Sequence, residues 1–357
     1  MSPPRTLVRF PNWLGDVVMA IPAWQVIRRW ADAGHLAAAV PAALAPVASM
    51  LDGVDEVVAL RSSGNAWGKA FKADVATLRA GRFDRVVFLT NSFGSAWMAT
   101  RAGIPARWGY SADARRWLLT RAVSRRGPRA SPHHSSYYLK LVEELDIGVP
   151  PAPPEAVARL VVGDAPRRSA QRALDAAGVP ADATLVGFAP GAAYGTAKRW
   201  PPQSAALVIA ELTRRPGTVC LLLGASADRL TGAEVESAVA ALAGGPGRGA
   251  ALVNLVGRTD VATLAGVLAR CRVAVSNDSG AMHVAAAVGT HVVVPFGPTD
   301  ERATSPLGPH TVLTAPVFCR PCHLRSCPID HRCMRRIAPG RVLAEVTRVL
   351  DAQRSQA

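Results

Sequence analysis

Residues 272–296 read RVAVSNDSGAMHVAAAVGTHVVVPF. Two valine-rich runs, 272–277 and 291–296, enclose a stretch, 280–288, whose alanines suit a helix. Their centres, VAV at 273–275 and VVV at 292–294, are apolar without alternation, which marks strands buried on both faces of a parallel sheet. The same alternation extends outward in both directions. Toward the centre of the chain, strand candidates at 185–189, 218–224 and 251–256 are separated by helical stretches near 166–177, 202–214, 226–243 and 260–269. The first half repeats the pattern, with strands at 6–10, 36–40, 54–60, 85–91 and 107–110 and helices near 16–31, 66–80 and 93–102. Ten strands in two sets of five predict an α/β protein built from two doubly wound, Rossmann-like parallel sheets.

The stretch VPPAPP at 149–154 reads as an extended linker, giving domains 1–150 and 151–338. A last amphipathic helix follows, within 339–357, with Val342, Val346, Val349 and Leu350 on one face, and is expected to pack back on the N-terminal domain. The glycine-rich turn at 244–249 lies between a helix and a strand, the wrong context for a dinucleotide loop.

Hydrophobic residues make up 49% of the 357 and charged residues 19%, which excludes bulk disorder. There are 41 basic and 26 acidic residues, a net charge of +15. That balance suits anionic partners such as phosphorylated ligands or an anionic membrane surface, although an arginine-rich genome also produces it. A nucleic-acid partner is not expected, because few aromatics interleave with the basic residues and no recognition motif is present. The N-terminus has no secretory pattern. The longest uncharged apolar run, 36–51, is broken by Pro41 and Pro46 and falls short of the ~18–20 residues a membrane span needs. A cytoplasmic protein without a transmembrane segment is expected.

In open α/β sheets, ligands bind at the carboxyl ends of strands, so the strand-to-helix loops carry the chemistry. Asp16 follows the first strand in FPNWLGD (10–16), where a carboxylate caps the next helix or deprotonates a hydroxyl. The loop PGAAYGTAKRWP (190–201) combines small residues, the Thr196 hydroxyl, Lys198 and a proline-started helix, the ingredients of a phosphate site. Lys198 is one of only four lysines. In SNDSGAMH (276–283), Asp278 and Ser279 stand where they would cap the helix that Gly280 opens. His283 lies one turn in, as a donor toward a diphosphate or as a core histidine. Cys220 and Cys271 sit in or beside apolar strands and read as inert. Cys319, Cys322, Cys327 and Cys333 crowd into fifteen residues; the spacing admits a structural zinc, with unligated thiols the favoured reading.

Taken together, RFPNWLGDVVMAIPA (9–23), PGAAYGTAKRWP, SNDSGAMHVAAAVGTHVVVPFGPTD (276–300) and CRPCHLRSCPIDHRCM (319–334) resemble the ADP-heptose:lipopolysaccharide heptosyltransferases, the heptosyltransferase II branch above all. The matches run in order over nearly the whole chain. The resemblance implies a GT-B fold with two domains facing a central cleft, the acceptor on the N-terminal side and ADP-heptose on the C-terminal side. It implies inverting transfer of heptose to the lipopolysaccharide inner core with no cofactor or metal required. By position, Asp16 would be the general base and Lys198 would contact the donor diphosphate. Asp278, Ser279, Gly280 and His283 would contact the donor heptose and phosphates. Two positions depart from the family, Ala193 where Glu is common and Tyr194 where Phe is common. Another GT-B transferase with a different sugar or acceptor, or a non-catalytic nucleotide-sugar binder, are the alternatives.

Between residues 114 and 142 there is no acidic residue, while Arg115, Arg116, Arg121, Arg125, Arg126, Arg129 and Lys140 fall there. Arg115, Arg116, Arg125 and Arg126 are expected to meet the anionic lipopolysaccharide core at the inner face of the inner membrane, with Trp117, Leu118 and Leu119 at headgroup level. A solvated basic loop is the competing reading.

Overall fold

The computed structural model describes residues 4–31, 34–62, 68–125, 133–148, 157–242 and 251–354. The proline-rich stretch 149–154, the turn 244–249, Arg126 and Arg129 lie outside them. Twelve strands among the described residues form two six-stranded sheets, every neighbouring pair parallel. The first contains β1 (Arg5–Arg9), β2 (His35–Pro41), β3 (Glu56–Leu60), β4 (Arg85–Phe88), β5 (Ala106–Tyr110) and β6 (Arg121–Val123), in the order β3-β2-β1-β4-β5-β6. The second contains β7 (Thr184–Ala189), β8 (Thr218–Leu222), β9 (Leu252–Asn254), β10 (Val273–Ser276), β11 (His291–Pro295) and β12 (His310–Leu313), in the order β12-β11-β10-β7-β8-β9. Counted from the opposite edge, the second order is the same as the first. In each sheet the direction of winding reverses beside the first strand, between β1 and β4 and between β7 and β10. Those are the switch points at which an open α/β sheet leaves a crevice beyond its strands' carboxyl ends.

All ten expected strands are present, together with two more, β6 and β12, one at an edge of each sheet. The expected helix at 16–31 is two helices, Leu14–Met19 and Ile21–Ala31. A further helix, His134–Glu144, was not expected; its buried Tyr138, Leu141 and Val142 have helical spacing.

The chain divides into two units, Met1–Val161 and Val162–Ala357. The division falls later than residue 150 because the backbone beyond the prolines returns to the first unit. The Val161 amide donates to the Met50 carbonyl at 2.8 Å, and Leu160 bridges Leu51. In the first unit, Leu7, Val86 and Phe88 of the sheet pack with Phe71, Val75, Met98 and Leu118. In the second, Val186, Phe188, Leu222 and Val275 pack with Trp200, Ile209, Met334 and Ile337.

The last helix, Pro339–Arg354, corrects the expectation that it joins the N-terminal domain. Its Val342, Val346, Val349 and Leu350 are buried in the core of the second unit, against the helix Pro202–Leu212 and strands β10–β12. Burying such side chains is worth roughly 1.5–3 kcal/mol each, so this helix closes one face of the second sheet. No described helix is long and apolar enough to cross a membrane.

Candidate active site

In the first unit, β1 ends at Arg9, which is partly buried; desolvation pulls its pKa down to about 10. It donates to the Phe10 carbonyl and, at 2.6 Å, to the Asn12 side chain, which fixes the loop before the helix Leu14–Met19. Trp13, not Asp16, is the residue at the cap position of that helix. Asp16 lies in the first turn, where the helix dipole favours a negative charge. Its Oδ1 stands 4.0 Å from His134 Nε2. His134 opens an aromatic group on the helix His134–Glu144: its ring lies 5.3 Å from Tyr138 and 6.0 Å from Tyr137, and Tyr137 stacks 4.7 Å from Tyr110. Asn91, just past β4, donates to the Tyr137 hydroxyl at 2.7 Å. The Tyr138 phenol is held protonated by burial, reinforced by the charge of Asp16. A carboxylate, an imidazole and an amide-anchored phenol therefore gather around the first switch point. His134, Tyr137 and Asn91 were not singled out in the sequence, although Tyr138, Leu141, Val142 and Leu145 carried the helical periodicity that would have revealed the helix.

The basic stretch is not uniform. Arg115 is 0% exposed. Its Nε–H donates to the Tyr110 carbonyl at 3.0 Å, its guanidinium lies 5.3 Å over the Phe88 ring, and burial lowers its pKa to about 10. It is an internal strut and cannot meet a headgroup. Leu118 and Leu119 are likewise core residues. Arg116, Arg121 and Arg125 are exposed, and Trp117, 69% exposed, pairs with the Phe93 ring at 5.9 Å.

In the second unit, residues 190–201 link β7 to the helix Pro202–Leu212. Asn277, just past β10, staples both ends of this loop: its Nδ2 donates to the Pro190 carbonyl at 2.6 Å, and its Oδ1 accepts the Trp200 amide at 3.0 Å. Local sequence holds no sign of this role, because the partners lie 77 and 87 residues away. The staple draws Lys198 inward. Lys198 is buried, not solvated, and its Nζ donates to Asp278 Oδ2 at 2.6 Å. Thr299 Oγ1 donates to the same oxygen at 2.6 Å, a second contribution the sequence did not indicate. Asp278 thus holds Lys198 and does not cap the following helix. Ser279 occupies the cap position of the helix Gly280–Ala287 without capping it; its hydroxyl lies 3.4 Å from that of Ser276. His283 is buried one turn in, and Thr196 is exposed at the start of the turn Thr196–Lys198. A Cβ on Gly191 would stand 2.2 Å from the Asp228 carboxylate, so only glycine lets the loop approach the turn after β8. Beyond β8 and β9 lies a cavity of about 370 Å³ lined by Arg229, Asn254, Val256 and Arg258.

Cys220 and Cys271 are buried, and burial raises both thiols, Cys271 to about 12. The Cys333 thiol is raised by burial and by the neighbouring Cys319, Cys322 and Cys327. All six cysteines are free thiols. Among the described residues, no three His, Cys, Asp or Glu side chains are grouped so that they could hold a metal ion.

The sequence profile of glycosyltransferase family 9 (heptosyltransferase) matches residues 74–332. The chain is 26% identical over 357 residues to lipooligosaccharide heptosyltransferase 2 of Haemophilus ducreyi, covering 97% of this chain and 99% of that one. It is 29% identical over 311 residues to lipopolysaccharide heptosyltransferase 2 of Escherichia coli K12, covering 85% of each. Among solved structures, the ADP-heptose lipopolysaccharide heptosyltransferase II of E. coli superimposes with a TM-score of 0.81 at 27% identity, over 98% of this chain and 99% of that one.

Proposed function

The chain belongs to glycosyltransferase family 9, the heptosyltransferases, and on that premise we propose that it transfers heptose from ADP-heptose to the heptose of a lipopolysaccharide inner core. The observation that carries the donor half of this reading is the buried Lys198–Asp278 pair beside the second switch point. A cation held there, next to the amide end of the helix Gly280–Ala287, suits a diphosphate. Thr196, Ser279 and His283 add donors around it, and the cavity lined by Arg229 and Arg258 suits the adenosine.

Asp16 acts as the general base. The acceptor hydroxyl gives its proton to the Asp16 carboxylate as its oxygen bonds to the anomeric carbon. The bond from that carbon to the diphosphate breaks on the opposite face, ADP departs, and configuration inverts. Negative charge grows on the diphosphate as the bond breaks, and a pre-positioned Lys198 offsets it without reorganisation. The charge stabilisation is supplied by protein groups, with no cofactor required. Exposed Arg116, Arg121 and Arg125, with the exposed Trp117–Phe93 pair in the same unit, support an acceptor reached at an anionic membrane surface, the inner face of the inner membrane.

Incubation of the purified protein with ADP-heptose and a mono-heptosylated core acceptor, read by mass spectrometry, should give one added heptose and free ADP. Unchanged acceptor, with the protein folded and both substrates intact, would overturn the reading.

A further inference from the structure

The segment carrying the four clustered cysteines touches both loops that meet at Asp278. On one side the Ala197 amide donates to the Arg325 carbonyl at 3.0 Å, and the Tyr194 hydroxyl donates to the His323 carbonyl at 2.9 Å. The approach is close: a Cβ on Gly195 would lie 2.2 Å from the Arg325 carbonyl oxygen. The Tyr194 ring carries two cations, Lys198 Nζ at 4.7 Å and the Arg325 guanidinium at 5.2 Å from its centroid. On the other side, the Cys322 and His323 amides both donate to the Pro298 carbonyl at 2.9 Å. Arg320 donates to the Gly297 carbonyl at 2.8 Å and the Thr299 carbonyl at 3.2 Å, and pairs with Glu301. The two loops so bridged supply Lys198 and Thr299, the two donors on Asp278 Oδ2.

We infer that residues 320–325 form a clasp that positions Lys198, and that Arg325 and Tyr194 are its positioning residues. The backbone of Arg325 locks the turn Gly195–Lys198 from outside, and its guanidinium keeps the Tyr194 ring over the Lys198 ammonium. The exposed guanidinium also adds a second positive charge beside the same ring. A ligand with two phosphates should sense the clasp more than a ligand with one. This inference rests on the reading that Lys198 meets the donor diphosphate.

The test measures ADP and AMP binding to the purified full chain by calorimetry, alongside hydrogen exchange of the amides. Gly195→Ala is the central variant. The backbone of Gly195 is extended, with φ of 160°, and the nearest atoms an alanine Cβ would meet all belong to the Arg325 backbone. Arg325→Ala, Arg325→Lys and Tyr194→Phe accompany it, and Tyr194→Phe keeps the ring while removing one hydrogen bond, should Gly195→Ala fail to fold. The expected result is faster exchange at Ala197, Cys322 and His323 in Gly195→Ala. ADP affinity should fall roughly tenfold in Gly195→Ala and Arg325→Ala, with a smaller change for AMP and partial recovery in Arg325→Lys. Tyr194→Phe should shift in the same direction by less. Wild-type protein that binds ADP, with variants that bind it equally well, would overturn the clasp. Equal losses for ADP and AMP would reduce it to general support of the fold and overturn the positioning role. Wild-type protein that binds neither nucleotide would remove the donor reading, and the clasp's role with it.

Discussion

Asp16 and His134 stand 4.0 Å apart, carboxylate to imidazole, where the helix Leu14–Met19 meets the helix His134–Glu144. Asp16→Asn keeps the shape of this contact and removes the proposed base. Turnover should fall by about 10²–10⁴-fold while the variant stays folded and binds ADP as before. Near-wild-type turnover would reassign Asp16 as a helix-dipole residue.

Lys198→Ala should do two things at once. It leaves the Asp278 carboxylate buried without its cation, a loss of roughly 3–5 kcal/mol in stability, and it removes the charge proposed for the diphosphate. Lys198→Met with Asp278→Leu separates the effects, because a buried ion pair replaced by apolar residues is often neutral for stability. The double variant should recover much of the melting temperature and none of the ADP affinity. Recovery of both would make the pair purely structural.

At Asp55 burial opposes ionisation, but the Leu36 amide and the Arg28 guanidinium outweigh it and hold the carboxyl below its usual 3.8. A carboxylate depressed in the folded state stabilises fully above the unfolded value, and loses that contribution as pH falls through the folded one. Asp55→Asn should therefore lower the melting temperature of the first unit at pH 7 and flatten its decline below about pH 4. A decline of unchanged steepness would assign the acid sensitivity to other carboxylates.

The exposed basic face is tested without Arg115, whose replacement should cost stability instead. Arg116→Ser with Arg125→Ser should weaken binding to anionic liposomes, at about 1 kcal/mol per charge, and the wild-type binding should itself weaken with salt. Trp117→Ala should weaken it further. The acceptor KM should rise in these variants while the ADP-heptose KM stays put. Unaltered liposome binding and acceptor KM would leave a solvated face.

Transfer should survive EDTA, because every charge stabiliser assigned above is a protein group. Loss of turnover that added Mg²⁺ restores would contradict that assignment.

The sheets were legible because buried parallel strands declare themselves as short apolar runs; β10 and β11 are valine-rich and buried nearly throughout. The edge strands β6 and β12 have three and four residues and partly polar faces, so their pattern falls below what alternation can show. Lys198 could be located from its loop, but its burial could not. That depends on Asn277 gripping the loop and on Thr299 sharing Asp278, contacts made only once β7 and β10 lie side by side. Arg115 was misread for the opposite reason. It sits in a run of like charges, and only the fold reveals that this one turns inward onto Phe88.

The helix Pro339–Arg354 also constrains how the protein is made. All six strands of the first sheet are synthesised before residue 162, so that unit can fold while the ribosome is still translating the rest. The second sheet has no such head start. Its core includes Val342, Val346, Val349 and Leu350, which come after β12 in the chain, so β7–β12 keep one face uncovered until the helix Pro339–Arg354 has been made. A chain truncated before Pro339 would therefore keep an intact N-terminal unit beside an exposed apolar sheet, a substrate for chaperones and proteases.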